Sequence, residues 1–263
     1  QGAIEERMFL AALVDLKIDP KVLGTCAPKL ASGRTHYFID KTKVAVMGQS
    51  MGGMYTNMVS AIEPMVRAAV PTGAGGYWSH MMLVSSRVGE AIVRLFIGSS
   101  NRLSWTHPAL QVFHTAWEVA DPLVYVPRLS RKPLSGHPAR SIYEVVGKDD
   151  SYFPMSVYDA MALAYGHQEA GKEVWSSMQT SLALGGVGGI IPYPVKENLT
   201  SVDGIRKHTG VVVQYEGDGI YDSHSVAFQL DAVKYQYGCF LDSFFKTGMA
   251  TVFKPGKLGD PCP

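Results

Sequence analysis

A serine stands at the centre of the pentapeptide Gly48-Gln49-Ser50-Met51-Gly52, where its hydroxyl could act as a nucleophile. The apolar run before it, residues 44–47, predicts a short buried strand, and methionines recur after it at helical spacing. Between a strand and a helix, G-x-S-x-G makes a sharp turn that exposes the serine, and the helix N-terminus beneath favours developing negative charge. The pentapeptide alone is a weak signal, but this context makes it a candidate nucleophile elbow.

We expect Ser50 to adopt a strained backbone conformation in such a turn. A Cβ two residues to either side would then collide with the crossing strand and helix, and Gly48 and Gly52 would avoid that collision. The alternative interpretation is a tight turn that happens to carry a serine.

An acid and a base should follow Ser50 in that order if the serine belongs to a catalytic triad. Residues 142–146 are strand-like and lead into a loop with two adjacent carboxylates, Asp149 and Asp150. Residues 211–215 are the last strong β run, and the loop after them carries His224 ahead of an apolar-periodic helix, residues 226–245. A histidine there could reach the serine as general base, with the acid holding its tautomer.

These segments resemble the α/β-hydrolase superfamily and, within it, the bacterial lipase/esterase-like serine hydrolases. The resemblance is carried by residues 44–53, 63–70 and 147–154 together with His224, and it covers residues 40–245 as an ordered series. It implies an α/β-hydrolase fold, with a mostly parallel sheet flanked by helices and a helical cap insertion.

The resemblance also implies roles for particular residues. Ser50 would be the nucleophile, His224 the base and Asp150 the acid, because the family acid commonly lies three residues after a glycine that ends its strand. Asp149 is the rival. One oxyanion donor would be the backbone N–H of Met51, the residue after the nucleophile. The second donor normally comes from a loop of the first half of the sheet.

Few residues precede the serine, whereas the family places the first half of its sheet before the elbow. Residues 3–16 predict one amphipathic helix, which resembles the helix just ahead of the nucleophile strand. We therefore expect the N-terminal strands to be absent from this chain, and a preceding segment or cleaved companion chain to complete the sheet and the oxyanion hole. Residues 1–263 should then neither fold nor function alone. The alternative is a minimal hydrolase that never had those strands.

The predicted organisation is a hydrolase core made of residues 1–75 and 141–250, a helical cap or lid of residues 76–140, and a tail of residues 251–263. Aromatic and methionine side chains of the insertion suit an ester substrate with an apolar acyl or aromatic part. They are Tyr77, Trp78, Met81, Met82, Trp105, Phe113 and Trp117.

Composition excludes several classes of protein. A hydrophobic content of 46% and a charged content of 18% are typical of a globular chain, long enough for one large domain. The net charge of +1, without a basic run, argues against a nucleic-acid partner. No apolar stretch reaches the roughly 20 residues that span a bilayer. The histidines and cysteines lack metal-ligand spacing, so we expect neither metal nor cofactor.

Three cysteines leave at least one unpaired. Cys26 in a loop and Cys262 in the tail could both pair in an oxidising compartment, whereas Cys239 lies in the apolar helix and is expected to be a buried thiol. Because bacterial relatives of this type are often exported, the resemblance implies a periplasmic or secreted protein.

Two classes of function remain open from the sequence. The first is a serine esterase or lipase that works through an acyl-enzyme, on an ester of unspecified kind. The second is a non-catalytic α/β-hydrolase-fold module kept for binding or assembly, and the ordered serine, aspartate and histidine argue against it.

Overall fold

The computed structural model describes residues 1–263 as eight β-strands and eleven α-helices. The strands are β1 (Val44–Gln49), β2 (Val66–Thr72), β3 (Ser141–Gly147), β4 (Gln168–Ala170), β5 (Ile190–Ile191), β6 (Leu199–Thr200), β7 (Lys207–His208) and β8 (Gly210–Tyr215). The helices are α1 (Gly2–Leu13), α2 (Pro20–Leu23), α3 (Met51–Ile62), α4 (Trp78–Val84), α5 (Glu90–Ile97), α6 (Pro108–Trp117), α7 (Pro122–Tyr125), α8 (Met155–Tyr165), α9 (Ser177–Leu184), α10 (Val226–Gln229) and α11 (Asp231–Thr247).

Six strands form one sheet in the order β1-β2-β3-β8-β4-β5, and every neighbouring pair in it is parallel. β6 and β7 form a separate antiparallel pair. Parallel pairing gathers the carboxyl ends of the strands at one edge of the sheet, where ligand sites of such folds lie. The turns after β1, β3 and β8 meet there, and they carry Ser50, Asp150 and His224.

The central strands β2, β3 and β8 are buried almost throughout. A strand covered on both faces by helices can be apolar at successive positions, which explains their continuous apolar runs. Ile142 and Val146 of β3 pack into a core cluster with α3, α8 and α9, whereas Tyr143 and Val145 pack into a second cluster with α11. The sheet is therefore the middle of three layers, and the predicted fold class is confirmed.

β1 lies at one end of the sheet and has β2 as its single strand neighbour. The backbone groups along its outer edge are therefore free of strand pairing. α1 contacts α3 but buries none of its own residues, and Ile4, Met8 and Phe9 are exposed. α1 also ends at Leu13, before the predicted end of the helix at residue 16.

Residues 76–140 are largely helical and contain α4 to α7. Val93, Leu103 and Leu110 form a small apolar cluster of their own in this segment. Beyond β8, the strands β4 and β5 add two short parallel members to the sheet. The C-terminal helix predicted over residues 226–245 is divided at Leu230, where the backbone is extended.

The interpretation of Cys239 as a free thiol is wrong. Cys239 is buried in α11 and forms a disulfide with Cys262, so the tail is bonded to that helix. Cys26 is exposed and unpaired. The position of Cys239 in an apolar helix correctly predicts that it is buried. The tail packs against that helix, however, and this packing brings the sulfur of Cys262 to that of Cys239. None of the helices combines the length and the apolar character needed to cross a membrane.

Candidate active site

Ser50 lies in a strained turn between β1 and α3. Its backbone has φ 58° and ψ −122°, a conformation that non-glycine residues rarely adopt. The Ser50 N–H donates to the carbonyl of Thr72 at the end of β2, 2.9 Å away, which attaches the turn to the neighbouring strand. The strained conformation expected for the serine is present.

The crossing of strand and helix depends on two glycines, only one of which was anticipated. A Cβ at position 48 would lie 2.3 Å from the carbonyl oxygen of Gly52, so Gly48 is required. A Cβ at position 52 would meet nothing within 4 Å, so the expectation for Gly52 is wrong. The second required glycine is Gly53, whose Cβ would come within 2.7 Å of Ala74, because α3 turns that residue towards the end of β2.

Asp150 and His224 are in direct contact. Nδ1 of His224 lies 2.7 Å from Oδ2 of Asp150, and both residues are buried. The other carboxylate oxygen accepts the backbone N–H groups of Tyr152 and Phe153 at 2.7 and 2.9 Å. Asp149 is exposed in a left-handed conformation with φ 59°. Of the two adjacent aspartates, Asp150 is therefore the one that binds the histidine.

The backbone of His224 rests against the residue that precedes Ser50. The side-chain amide of Gln49 donates to the His224 carbonyl and accepts from the hydroxyl of Thr72. Gly73 fits between them, since a Cβ there would lie 2.8 Å from the His224 carbonyl. No hydrogen bond joins the Ser50 hydroxyl to His224, and in unliganded sites such bonds often tighten only when substrate binds.

The loop that carries His224 is held by Asp222. The Asp222 carboxylate accepts the His224 N–H at 2.9 Å and also binds the backbone and hydroxyl of Ser151. Burial acts to raise the pKa of Asp222, but these hydrogen bonds outweigh it and hold the pKa below its usual value. Asp222 therefore remains ionised and ties the loop that carries His224 (the histidine loop, residues 216–225) to the loop that carries Asp150 (the acid loop, residues 148–154).

Aromatic rings cover the imidazole of His224. The rings of Tyr152 and Phe153 lie 4.5 and 5.6 Å from it, measured between centroids. The guanidinium of Arg87, which follows α4, lies 5.6 Å from the centroid of the Tyr152 ring and donates to the Ser151 hydroxyl at 2.9 Å. The helical segment 76–140 thus reaches the acid loop beside the histidine.

Helices α4, α5 and α6 line an apolar cavity of about 230 Å³ that is open to solvent on one side, where Ile92 and Phe96 are exposed. All eight lining side chains are hydrophobic: Met82, Val88, Ile92, Val93, Phe96, Leu110, Phe113 and Trp117. Val88 is the neighbour of Arg87 in the chain, so the wall of the cavity adjoins the contact with the acid loop.

Three of the other histidines hydrogen-bond to groups away from His224. His114 and His80 lie 2.9 Å from the hydroxyls of Ser79 and Ser156, and His167 is buried against Glu144. No group of three or more His, Cys, Asp or Glu side chains is arranged to hold a metal ion.

Met51 begins α3, so its N–H is one of the first four of the helix, which have no partner within it. Two site residues escaped the sequence reasoning: Gln49 stands inside the pentapeptide at an unconstrained position, and Tyr158, whose hydroxyl binds Asp150, has no local signal at all.

No family model matches the chain, and no curated protein matches it. Among solved structures, it is similar to acetyl xylan esterase 1 from Thermoanaerobacterium sp. JW/SL YS485, with 15% identity and a TM-score of 0.40 over 80% of this chain and 45% of that chain. A 2,6-dihydroxy-pseudo-oxynicotine hydrolase gives 14% identity and a TM-score of 0.45 over 97% and 50% of the two chains. A puromycin hydrolase is similar with 14% identity and a TM-score of 0.43, over 90% of this chain and 26% of that chain. The chain spans half or less of the length of these proteins.

Similarity of this degree carries no argument about activity, so the assignment of the fold rests on the topology. The turn of Ser50, the loop of Asp150 and the loop of His224 follow β1, β3 and β8 in that order, all at the carboxyl edge of one parallel sheet with helices on both faces. That order, with a strained serine between strand and helix, is the arrangement of α/β-hydrolases. The chain has the α/β-hydrolase fold.

Proposed function

We propose that the chain is a serine hydrolase that cleaves carboxylic esters. Ser50 is the nucleophile, His224 the general base, Asp150 the acid that orients it, and the N–H of Met51 an oxyanion donor. The observation that carries the proposal is the 2.7 Å contact between Asp150 and His224, on a loop hydrogen-bonded to the residue before Ser50. A buried carboxylate on Nδ1 leaves Nε2 of the histidine to accept a proton.

The reaction proceeds in two stages. Ser50 Oγ attacks the ester carbonyl carbon while its proton passes to His224 Nε2, and the carbonyl oxygen takes the negative charge beside the Met51 N–H. Collapse of this intermediate expels the alcohol, which takes the proton from His224 and leaves an acylated serine. Water then attacks the acyl carbon as His224 removes its proton. Collapse of this second intermediate breaks the bond to Ser50 Oγ, which takes the proton back from His224 as the carboxylic acid leaves.

The substrate class is an ester with an apolar acyl or aromatic part. Support comes from the wholly apolar cavity among α4, α5 and α6 and from the contact between Arg87 and the acid loop beside His224. Apolar cavities of this kind bury the hydrophobic part of a ligand and leave few polar groups to orient it. Residues 76–140 would then act as a cap over the site.

A strand-bearing segment, either preceding this chain or cleaved from it, would complete the sheet. Support comes from the free outer edge of β1 and from the exposed apolar residues of α1, because unpaired strand edges and apolar faces attract a covering partner. The same segment would supply the second oxyanion donor. The disulfide between Cys239 and Cys262 favours a periplasmic or secreted protein, since such bonds persist in oxidising compartments.

Covalent labelling by a fluorophosphonate probe tests the proposal. The full-length protein should take the label and hydrolyse short-chain p-nitrophenyl esters, and Ser50→Ala should abolish both while the far-UV circular dichroism spectrum is retained. Ser60→Ala is the matched control, because Ser60 lies on α3 but its side chain is buried away from the site. Hydrolysis retained by Ser50→Ala would remove Ser50 from the mechanism. An unlabelled, inactive wild type would instead favour a non-catalytic binding module.

A further inference from the structure

The carboxylate of Asp150 accepts hydrogen bonds from four donors. Oδ1 accepts the backbone N–H groups of Tyr152 and Phe153, at 2.7 and 2.9 Å. Oδ2 accepts Nδ1–H of His224 at 2.7 Å and also the hydroxyl of Tyr158. The two amides belong to the loop of Asp150 itself. Tyr158 is the donor that comes from a helix, and it binds the same oxygen as the histidine.

Tyr158 lies in α8 and is completely buried. Its ring packs edge-on against Phe153, with centroids 6.3 Å apart, so the hydroxyl has little freedom to move away. Burial raises the pKa of Tyr158 well above 10, and the charge of Asp150 raises it further. The hydroxyl therefore keeps its proton and acts as a donor towards the carboxylate.

We infer that Tyr158 is a positioning residue for the proposed hydrolysis: its hydroxyl fixes the direction of the Asp150 oxygen that holds His224. The inference rests on the proposed function. A residue that only filled the core would need the ring and not the hydroxyl. A donor on Oδ2 does two things. It orients the carboxylate from a rigid helix, and it withdraws negative charge from the oxygen that stabilises the protonated imidazole.

Other charged groups face the pair formed by Asp150 and His224, and they stay unchanged when Tyr158 is altered. Asp222 lies on the histidine loop, Arg87 reaches the acid loop from the end of α4, and Glu144 lies on β3. A change seen on removing the Tyr158 hydroxyl therefore reports that one donor.

The test compares Tyr158→Phe with Tyr165→Phe. Tyr165 is on the same helix, is equally buried, and donates its hydroxyl to the side chain of Asn57, away from Asp150. Tyr158→Phe should lower kcat for p-nitrophenyl esters about 10-fold, the typical effect of one hydrogen bond to a charged group, with KM little changed. Tyr165→Phe should stay within about twofold of the wild type.

A second readout does not depend on turnover. The NMR titration of the His224 Cε1–H resonance should move to higher pH in Tyr158→Phe, because Oδ2 regains the negative charge that the hydroxyl had withdrawn. The acid limb of the kcat/KM profile should move in the same direction. Replacing Tyr158 with 3-fluorotyrosine, which keeps the ring and strengthens the donor, should move both to lower pH.

The outcomes separate the two proposals. An active wild type in which both phenylalanine variants behave alike, or in which the His224 titration does not move, overturns the role of Tyr158 and leaves the proposed hydrolysis standing. A full-length wild-type protein that neither hydrolyses esters nor takes the fluorophosphonate label overturns the hydrolysis, and the positioning role falls with it. Shifts of the His224 titration in opposite directions for the phenylalanine and fluorotyrosine variants support the positioning role of Tyr158.

Discussion

Two adjacent aspartates at the end of β3 differ completely in their surroundings. Asp150 is buried with its carboxylate saturated by donors, among them His224, whereas Asp149 is exposed in a left-handed backbone conformation. The two side chains point in different directions because the backbone turns sharply at Asp149, which leaves Asp149 in solvent and directs Asp150 inwards. Only the inward carboxylate can hold the imidazole in one tautomer.

Asp150→Asn should therefore lower kcat for ester hydrolysis by about 10⁴, because an amide in place of the carboxylate disturbs the tautomer of His224. Asp149→Asn is the matched control, and it should leave kcat within about threefold of the wild type, as is usual for an exposed substitution. Steady-state kinetics on p-nitrophenyl acetate would measure both. The opposite ranking would assign the acid to Asp149.

The short strand β4, which lies between β8 and β5 in the sheet, carries a fully buried carboxylate. Glu169 accepts a hydrogen bond from the side-chain amide of Gln179 in α9. The pKa of Glu169 is raised to about 7, mainly by burial, with the charges of Glu173 and Asp159 adding to the effect and that hydrogen bond opposing it. The folded element thus binds a proton that the unfolded chain has already released at neutral pH.

The free energy of unfolding should consequently fall as the pH rises from about 4.5 to about 7, because in this window the folded state holds the Glu169 proton and the unfolded state does not. Glu169→Gln should reduce that fall, and exposed Glu6→Gln should leave it unchanged. Urea unfolding at pH 5 and pH 8 would measure the slope. Parallel pH dependence in the wild type and Glu169→Gln would contradict the assignment.

At the scale of the whole molecule, the parallel sheet separates two cores, and the C-terminal tail closes over one of them. The disulfide joins Cys239 of α11 to Cys262, and the hydroxyl of Tyr235 donates to the carbonyl of Pro261 at 3.3 Å. A covalent link between a core helix and the last residues of the chain limits how far the unfolded chain can expand.

Cys262→Ser should lower the free energy of unfolding by about 3 kcal/mol, the loss expected for a loop closed over a sequence separation of 23 residues. Cys26→Ser is the matched control and should change it by less than about 0.5 kcal/mol, because Cys26 is exposed and unpaired. Urea unfolding under non-reducing conditions would give both values. Equal stability of the two variants would show that the bond does not form in solution.

The sequence alone determined the features that depend on short stretches of chain. The strand before Ser50, the helix after it, and the later strands that precede Asp150 and His224 each have a local hydrophobic period, and their order along the chain predicts the fold. The three candidate site residues could be named for that reason. The choice of Asp150 over Asp149 came from a family spacing, whereas the structure distinguishes the two by burial and contact.

Only the tertiary structure decided which distant groups meet. Tyr158 reaches Asp150 from the next helix, Gly53 and not Gly52 is the glycine that faces the end of β2, and Cys239 meets a cysteine of the returning tail. None of these contacts has a local period or spacing. Each depends on how a helix is rotated against the sheet or where a tail crosses it, and packing of the whole chain sets both.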